Sequence, residues 1–203
     1  MRRTNIFKLN PKKEEEAIML EWADNCSRMF NEINYKRRQS FFEDEIDWNT
    51  DELYREYKKI VGSGTAQQLI NKNNEAWKSF FALLKKWEAG KLEDKPHPPG
   101  YWKDRNTKKR ILRILIRSDL YKLGRKYLKL PFKFKVRWKG KNRWEGKQGR
   151  LEVVYDTLEG QWKCCMPVEV EPLHQPQGNK IAYVDLGVKC PIVAEVEGET
   201  WGP

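Results

Sequence analysis

The chain has 203 residues, 39% of them hydrophobic and 34% charged, with nine tryptophans and a formal net charge of +11. That apolar and aromatic content suffices for a core and excludes a disordered tail, and the length allows one large domain or two small ones. No run of 18 or more apolar residues occurs, which excludes a membrane-spanning helix, and residues 1–8 carry no apolar stretch of signal-peptide length.

In chain order, residues 2–10 read as a short strand that Pro11 closes. Lys12 to about Phe42 has helical rhythm, with Ile18, Trp22, Cys26, Met29 and Ile33 on one stripe and Glu14, Glu15 and Glu16 in the first turn, where the helix dipole favours acids. Asp47-Trp48-Asn49-Thr50 offers an N-cap for a short helix that puts Leu53, Tyr57, Ile60 and Val61 on one face. Gly62-Ser63-Gly64 then breaks the chain. Thr65 and Gln68 are spaced as a capping box for a long helix to about Ala89, which Gly90 stops. Its stripe of Leu69, Ala76, Trp77, Phe80, Phe81, Leu84 and Trp87 is read as the core of a three-helix arrangement.

Lys95-Pro96-His97-Pro98-Pro99-Gly100 can be neither helix nor inner strand, so a boundary falls there. Strand-like segments follow at residues 110–117, 126–130, 132–138, 150–155, 162–170 and 180–185. Phe132-Lys133-Phe134-Lys135-Val136-Arg137-Trp138 alternates apolar with cationic residues, which predicts a half-buried sheet with a positive outer face. Strands at this spacing predict a small antiparallel barrel.

Both histidines, His97 and His174, sit among prolines, which leaves no Ser/His/Asp or Cys/His catalytic set. Cys26, Cys164, Cys165 and Cys190 form no CxxC pair and have no histidine at zinc spacing, so no zinc site is expected. On a strand, Cys164 and Cys165 point to opposite faces. The four read as buried thiols of a cytoplasmic protein.

The charge is concentrated. Residues 1–102 carry 18 basic and 17 acidic side chains, residues 103–143 carry 17 and two, and residues 144–203 carry five and ten. A block of that kind repels itself unless a polyanion neutralises it, and phosphate backbone is the usual partner; a merely solvated charged face is the alternative. Aromatic rings lie among the cations, as stacking on bases requires. The candidate nucleic-acid contacts are Tyr101, Trp102, Lys103, Arg105, Lys108, Lys109, Arg110, Arg113, Arg117, Lys133, Lys135, Arg137, Lys139, Lys141 and Arg143.

Three stretches also carry a family resemblance. They are Thr65-Ala66-Gln67-Gln68-Leu69-Ile70 running into Ala76-Trp77-Lys78-Ser79-Phe80-Phe81, then Leu128-Lys129-Leu130-Pro131 before Lys135-Val136-Arg137-Trp138, and last Ile181-Ala182-Tyr183-Val184-Asp185-Leu186-Gly187-Val188-Lys189. In this order they resemble the N-terminal half of the TnpB (OrfB-type transposon-associated) family, relatives of the miniature type V CRISPR nucleases.

The resemblance implies an α+β fold in four parts. Residues 1–11 are a first wedge strand, 12–95 a helical recognition lobe inserted in the small antiparallel wedge barrel, 96–179 the basic barrel, and 180–203 the start of an RNase H-like (RuvC) nuclease domain. It implies guide RNA and double-stranded target DNA as partners, and a cytoplasmic, nucleoid-associated location without membrane contact. Asp185 is implied as a catalytic residue and Mg²⁺ ligand, since two-metal phosphodiester hydrolysis needs converging carboxylates and Mg²⁺ prefers hard oxygen donors. Without the resemblance, Asp185 reads equally as a turn residue before Gly187.

The family pattern continues with a glutamate, a four-cysteine zinc ribbon and a final aspartate, whereas 18 residues follow Asp185 here. Mg²⁺ chemistry is therefore expected only in a complete nuclease, with a C-terminal nuclease half or a homo-oligomer as a further partner. The alternative is a truncated, nuclease-dead module that only binds RNA or DNA, as an accessory subunit or repressor. Residues 180–203 suggest two strands, with Glu195, Glu197 and Glu199 on the solvated face of the second.

Overall fold

A computed structural model of the protein describes residues 1–43, 45–171, 181–185, 193–196 and 199–201. They divide into two compact units, Met1–Val170 and Glu171–Pro203. The segment with His174, and the residues Leu186 to Cys190 and Glu197, lie outside the described residues, as does the expected boundary between 179 and 180.

The first unit opens with β1 (Arg2–Asn10), which buries Asn5, Phe7 and Leu9 and exposes the residues between them. Helix α1 (Lys13–Phe42) starts where Glu15 accepts the Lys12 backbone N–H at 2.8 Å. It buries Met19, Trp22, Cys26, Met29, Phe30 and Ile33. Ile18, expected on that stripe, is 53% exposed. Helix α2 (Asp51–Tyr57) buries Leu53 and Tyr57, with Val61 buried just beyond it. It ends at Tyr57, so the chain turns away before Ile60 can join that face.

Helix α3 (Ser63–Glu88) begins three residues earlier than expected, with Gly62 as its N-cap at φ 87. Thr65 is therefore a buried residue of the first turn and not a cap, which removes the Thr65–Gln68 capping box. The reason lies in the partner. A Cβ on Gly62 would sit 3.1 Å from the Phe132 ring, so glycine supplies both the left-handed backbone and the close approach. At the other end Gly90, at φ 69, stops the helix as predicted. Phe41 of α1 meets Trp77, Phe80 and Phe81 of α3 at ring-centroid distances of 5.5, 5.5 and 6.0 Å.

The β part is one antiparallel sheet of β1, β2 (Arg113–Ile116), β3 (Lys122–Leu123), β4 (Tyr127–Lys129), β5 (Lys135–Lys139), β6 (Lys147–Gln148), β7 (Leu151–Asp156) and β8 (Gln161–Glu169). The order is β2-β7-β8-β1-β5-β4-β3, with β6 beside β8. The first strand thus lies at the centre, between β8 and β5, and the helices are an insertion between it and the rest of the sheet.

The expected barrel is not closed: no ladder joins the edge strands β2 and β3. Strand β3 has only two residues, too few to carry the stagger that closure demands. Strand β2 buries Ile114, Leu115 and Ile116 in succession, so both of its faces are covered, and α1 and α3 pack against it. Helical and sheet residues share one core.

The run at 132–138 is also shorter as a strand than its alternation suggests. Phe132 and Lys133 have φ of 59° and 57°, forming a turn in which Phe134 N–H donates to the Pro131 carbonyl at 3.2 Å. The strand starts at Lys135, and Phe132 instead turns its ring edge-on to Trp22 at 5.6 Å.

The second unit holds β9 (Ala182–Asp185), β10 (Val193–Val196) and β11 (Glu199–Trp201), paired antiparallel in that order. Three strands stand where two were expected, since Glu199 begins a strand of its own.

Candidate nucleic-acid interface

The Pro-rich connector is held against α1 by side chains at positions 27, 31, 34 and 38, which share one helix face. Ser27 Oγ donates to the Ile111 carbonyl. Asn31 Oδ1 accepts the Trp102 N–H at 2.7 Å. Asn34 Nδ2 donates to the carbonyls of Pro99 and Gly100 at 2.9 and 3.2 Å. Arg38 Nη1 donates to those of Pro98 and Pro99 at 3.2 and 3.0 Å. Residues 98–111 are thus fixed along the helix by backbone contacts that apolar periodicity does not reveal.

This clamp sets up a groove of about 850 Å³ between α1, α2 and residues 101–112. It brings together five of the predicted contacts, Tyr101, Lys103, Lys108, Lys109 and Arg110, with Arg28, Asn31, Tyr35 and Lys36 of α1. A turn displays the lysines. Asp104 Oδ1 accepts the N–H groups of Asn106 and Thr107 at 3.0 and 2.6 Å and the Thr107 hydroxyl at 2.9 Å, which hold its carboxyl below the usual aspartate range. Lys108 adopts φ 59° at the end of this turn, and Arg105 is exposed within it.

Not every predicted contact is free. Arg110 grips Asp24 through two hydrogen bonds of 2.6 and 2.9 Å. Arg117 does the same with Asp119, at 2.6 and 2.8 Å. Arg113 lies over the Trp102 ring at 5.1 Å and within 3.8 Å of Glu152. Trp102 itself is buried and stacked on Phe30 at 4.0 Å, so its ring is core and offers no face to a base. Sequence alone cannot tell a core ring from a stacking ring among cations.

A second basic surface lies on the outer face of the sheet. Lys122 is directly opposite Lys129, which is directly opposite Lys135. Beside this row Tyr127 faces Arg137, which faces Asn10, and then Lys139 faces Lys8 and Lys8 faces Lys163. Among the described residues, no carboxylate lies within ion-pair distance of Lys122, Lys129, Lys135, Arg137 or Lys139. Arg137 Nε instead donates to the Tyr127 hydroxyl at 3.1 Å, which draws that hydroxyl below the usual tyrosine range. Lys133 is exposed in the turn before β5, and Lys141 and Arg143 in the loop after it. Asn5 Oδ1 anchors that loop by accepting the backbone N–H of Arg143 and Trp144 at 3.0 and 3.1 Å.

No family model matches the chain. The TnpB-like protein ORF457 of Acidianus two-tailed virus is 38% identical over an alignment 228 positions long, taking in 98% of this chain and 50% of its own length. The chain is TnpB-like. It spans about half the length of the curated relative it matches. A chain of the cryo-EM structure of the Cas12f1-sgRNA-target DNA complex covers all of this TnpB-like chain and 56% of its own, at 13% identity and a TM-score of 0.44, a level that decides neither fold nor function.

In the TnpB-like chain Asp185 is the last residue of β9, opposite Val193. Among the described residues no group of three or more His, Cys, Asp or Glu is arranged to hold a metal. Cys26 and Cys164 are buried, which pushes both thiols up, and Cys165 faces the other side of β8. Among the described residues no helix is long and apolar enough to cross a membrane.

Proposed function

We propose that this chain is the nucleic-acid-gripping portion of an RNA-guided DNA endonuclease of the TnpB kind, with guide RNA and double-stranded target DNA as its partners. The observation that carries the reading is the row Lys122–Lys129–Lys135. Like charges directly opposite on a sheet destabilise it, and here no acid offsets them among the described residues. A polyanion lying across the strands supplies the missing counter-charge and releases its own counterions. The 38% identity to a TnpB-like protein along nearly the whole chain supports RNA and target DNA as that polyanion.

On this reading the sheet is the wedge and α1 to α3 the recognition lobe. The free cations of the two surfaces, Lys103, Arg105, Lys108, Lys109, Lys133, Lys135, Arg137, Lys139, Lys141 and Arg143, carry the phosphate contacts. Arg110, Arg113 and Arg117 shape the surface through their partners within the protein. Asp185 contributes a carboxylate to a RuvC-type Mg²⁺ site that is completed by further acidic residues.

Purification from the source cell with sequencing of the bound nucleic acid tests this. One defined transcript from a transposon end is the expected result. Random ribosomal fragments, or no nucleic acid at all, would overturn it.

A further inference from the structure

We propose that Tyr101, Arg38 and Phe42 form a platform on which one unpaired nucleobase stacks, at the rim of the basic groove. The ligand class is a single-stranded nucleic acid, and the assignment rests on the nucleic-acid-binding reading above. Rings such as Trp77, Trp102 and Trp162 are core; these two are not. Tyr101 is 41% exposed and Phe42 64% exposed. Tyr101 has no aromatic neighbour, and its hydroxyl no hydrogen-bond partner, among the described residues.

Between the two rings the Arg38 guanidinium lies 5.7 Å from the centroid of Tyr101 and 5.6 Å from that of Phe42. Its orientation is fixed at the other side by the carbonyls of Pro98 and Pro99. Asn34 holds the same connector at Pro99 and Gly100. The platform is therefore set before any ligand arrives, which limits the ordering cost of binding.

The groove beside it presents Lys103, Lys108 and Lys109, which have no carboxylate within ion-pair distance among the described residues. A flat cation-backed ring next to unpaired lysines suits one base and its flanking phosphates. A base inside a duplex has both faces covered by its neighbours, so only an unpaired or flipped-out base can use the platform.

The test uses the intact chain with short oligonucleotides carrying 2-aminopurine, as single-stranded RNA, single-stranded DNA and a blunt duplex. The wild-type protein should change the fluorescence of the single strands and leave that of the duplex unchanged. Tyr101→Ala should weaken single-strand binding roughly tenfold, leave the salt dependence as it was and change duplex affinity less than about twofold, since stacking carries no counterion term. Tyr101→Phe should restore binding, and Arg38→Lys, which keeps the charge but loses the planar fork, should not. The RNA and DNA arms show which strand is preferred.

If Tyr101→Ala binds single strands as the wild type does, the platform is wrong while the wider reading stands. An equal loss on single strands and duplex also overturns the platform, because Tyr101 would then act on the groove as a whole. A wild-type protein that binds none of the oligonucleotides overturns both.

Discussion

Trp77 donates its indole N–H to Asn34 Oδ1 at 2.9 Å, with both side chains fully buried between α1 and α3. Asn73 Nδ2 reaches the same oxygen at 3.4 Å, and Asn73 Oδ1 accepts from Arg37 Nη1 at 2.6 Å. Burial lowers the Arg37 pKa to about 10, and its ring-side neighbour is Trp48 at 4.9 Å. Asn34 thus ties the helices to each other and to the connector that shapes the groove.

Asn34→Leu should cost about 3 kcal/mol in chemical denaturation, because the Trp77 donor is left buried without an acceptor while two connector carbonyls lose their donor. In a Trp77→Phe background the same substitution should cost about 1 kcal/mol less, since the orphaned indole N–H is gone. Equal costs in both backgrounds would show that the bond contributes nothing specific.

Lys129→Glu should move stability and binding in opposite directions. The free protein should gain a few tenths of a kcal/mol to about 1 kcal/mol at low salt, because Lys129 lies between Lys122 and Lys135. RNA affinity should fall, and the slope of log K against log salt should shrink by roughly 0.7–0.9 for each lost phosphate contact. Melting curves and a salt titration check the two halves. Charge reversal at Arg110 or Arg113 is a poorer probe, since it breaks the Asp24 pair or the Trp102 and Glu152 contacts.

Acid should weaken the tie between α3 and the segment before β7. Arg150 donates to both oxygens of Glu75 at 2.9 and 2.8 Å, and this hydrogen bonding holds the Glu75 carboxyl below the usual glutamate range. A carboxyl whose pKa is lower folded than unfolded stabilises the fold above its unfolded value, and that contribution is lost as pH falls through the folded value. Glu75 is 57% exposed, so Glu75→Gln should cost no more than about 1 kcal/mol at pH 7. The gap between variant and wild type should narrow as pH falls below the usual glutamate value and close once the lowered folded value is passed, as melting temperature measured against pH would show.

Gly146→Ala should cost more than about 2 kcal/mol, because a Cβ there collides with the Glu169 backbone carbonyl and φ is 154°. The loss should be local, with hydrogen-exchange protection reduced first where Lys147 and Gln148 pair with Glu169 and Val168.

The local order of this protein was legible from its residues. Period-2 and period-3.6 patterns marked β1 and the three helices to within a few positions, Gly90 marked a helix stop, and the cationic block at 103–143 marked the basic surfaces. The TnpB resemblance read from three short stretches was confirmed by a relative that is 38% identical. What failed were statements about which neighbours a residue meets. Thr65 has the spacing of a cap yet is buried, Phe132 alternates like a strand residue yet lies in a turn, and Trp102 sits among cations yet stacks on Phe30.

Patterning fixes which face of an element is apolar because that is a property of adjacent residues. It is silent on pairing across long separations. Residue patterning alone therefore specified the elements and where charge accumulates along the chain. Folding adds that β1 lies between β5 and β8 in an open sheet, that Arg110, Arg113 and Arg117 are engaged by protein partners, and that Lys122, Lys129 and Lys135 stand in one row. The placement of β1 and the Arg110–Asp24 pair depend on contacts between residues far apart in the chain, whereas the lysine row and the Arg117–Asp119 pair come from short turns whose register alternation leaves open.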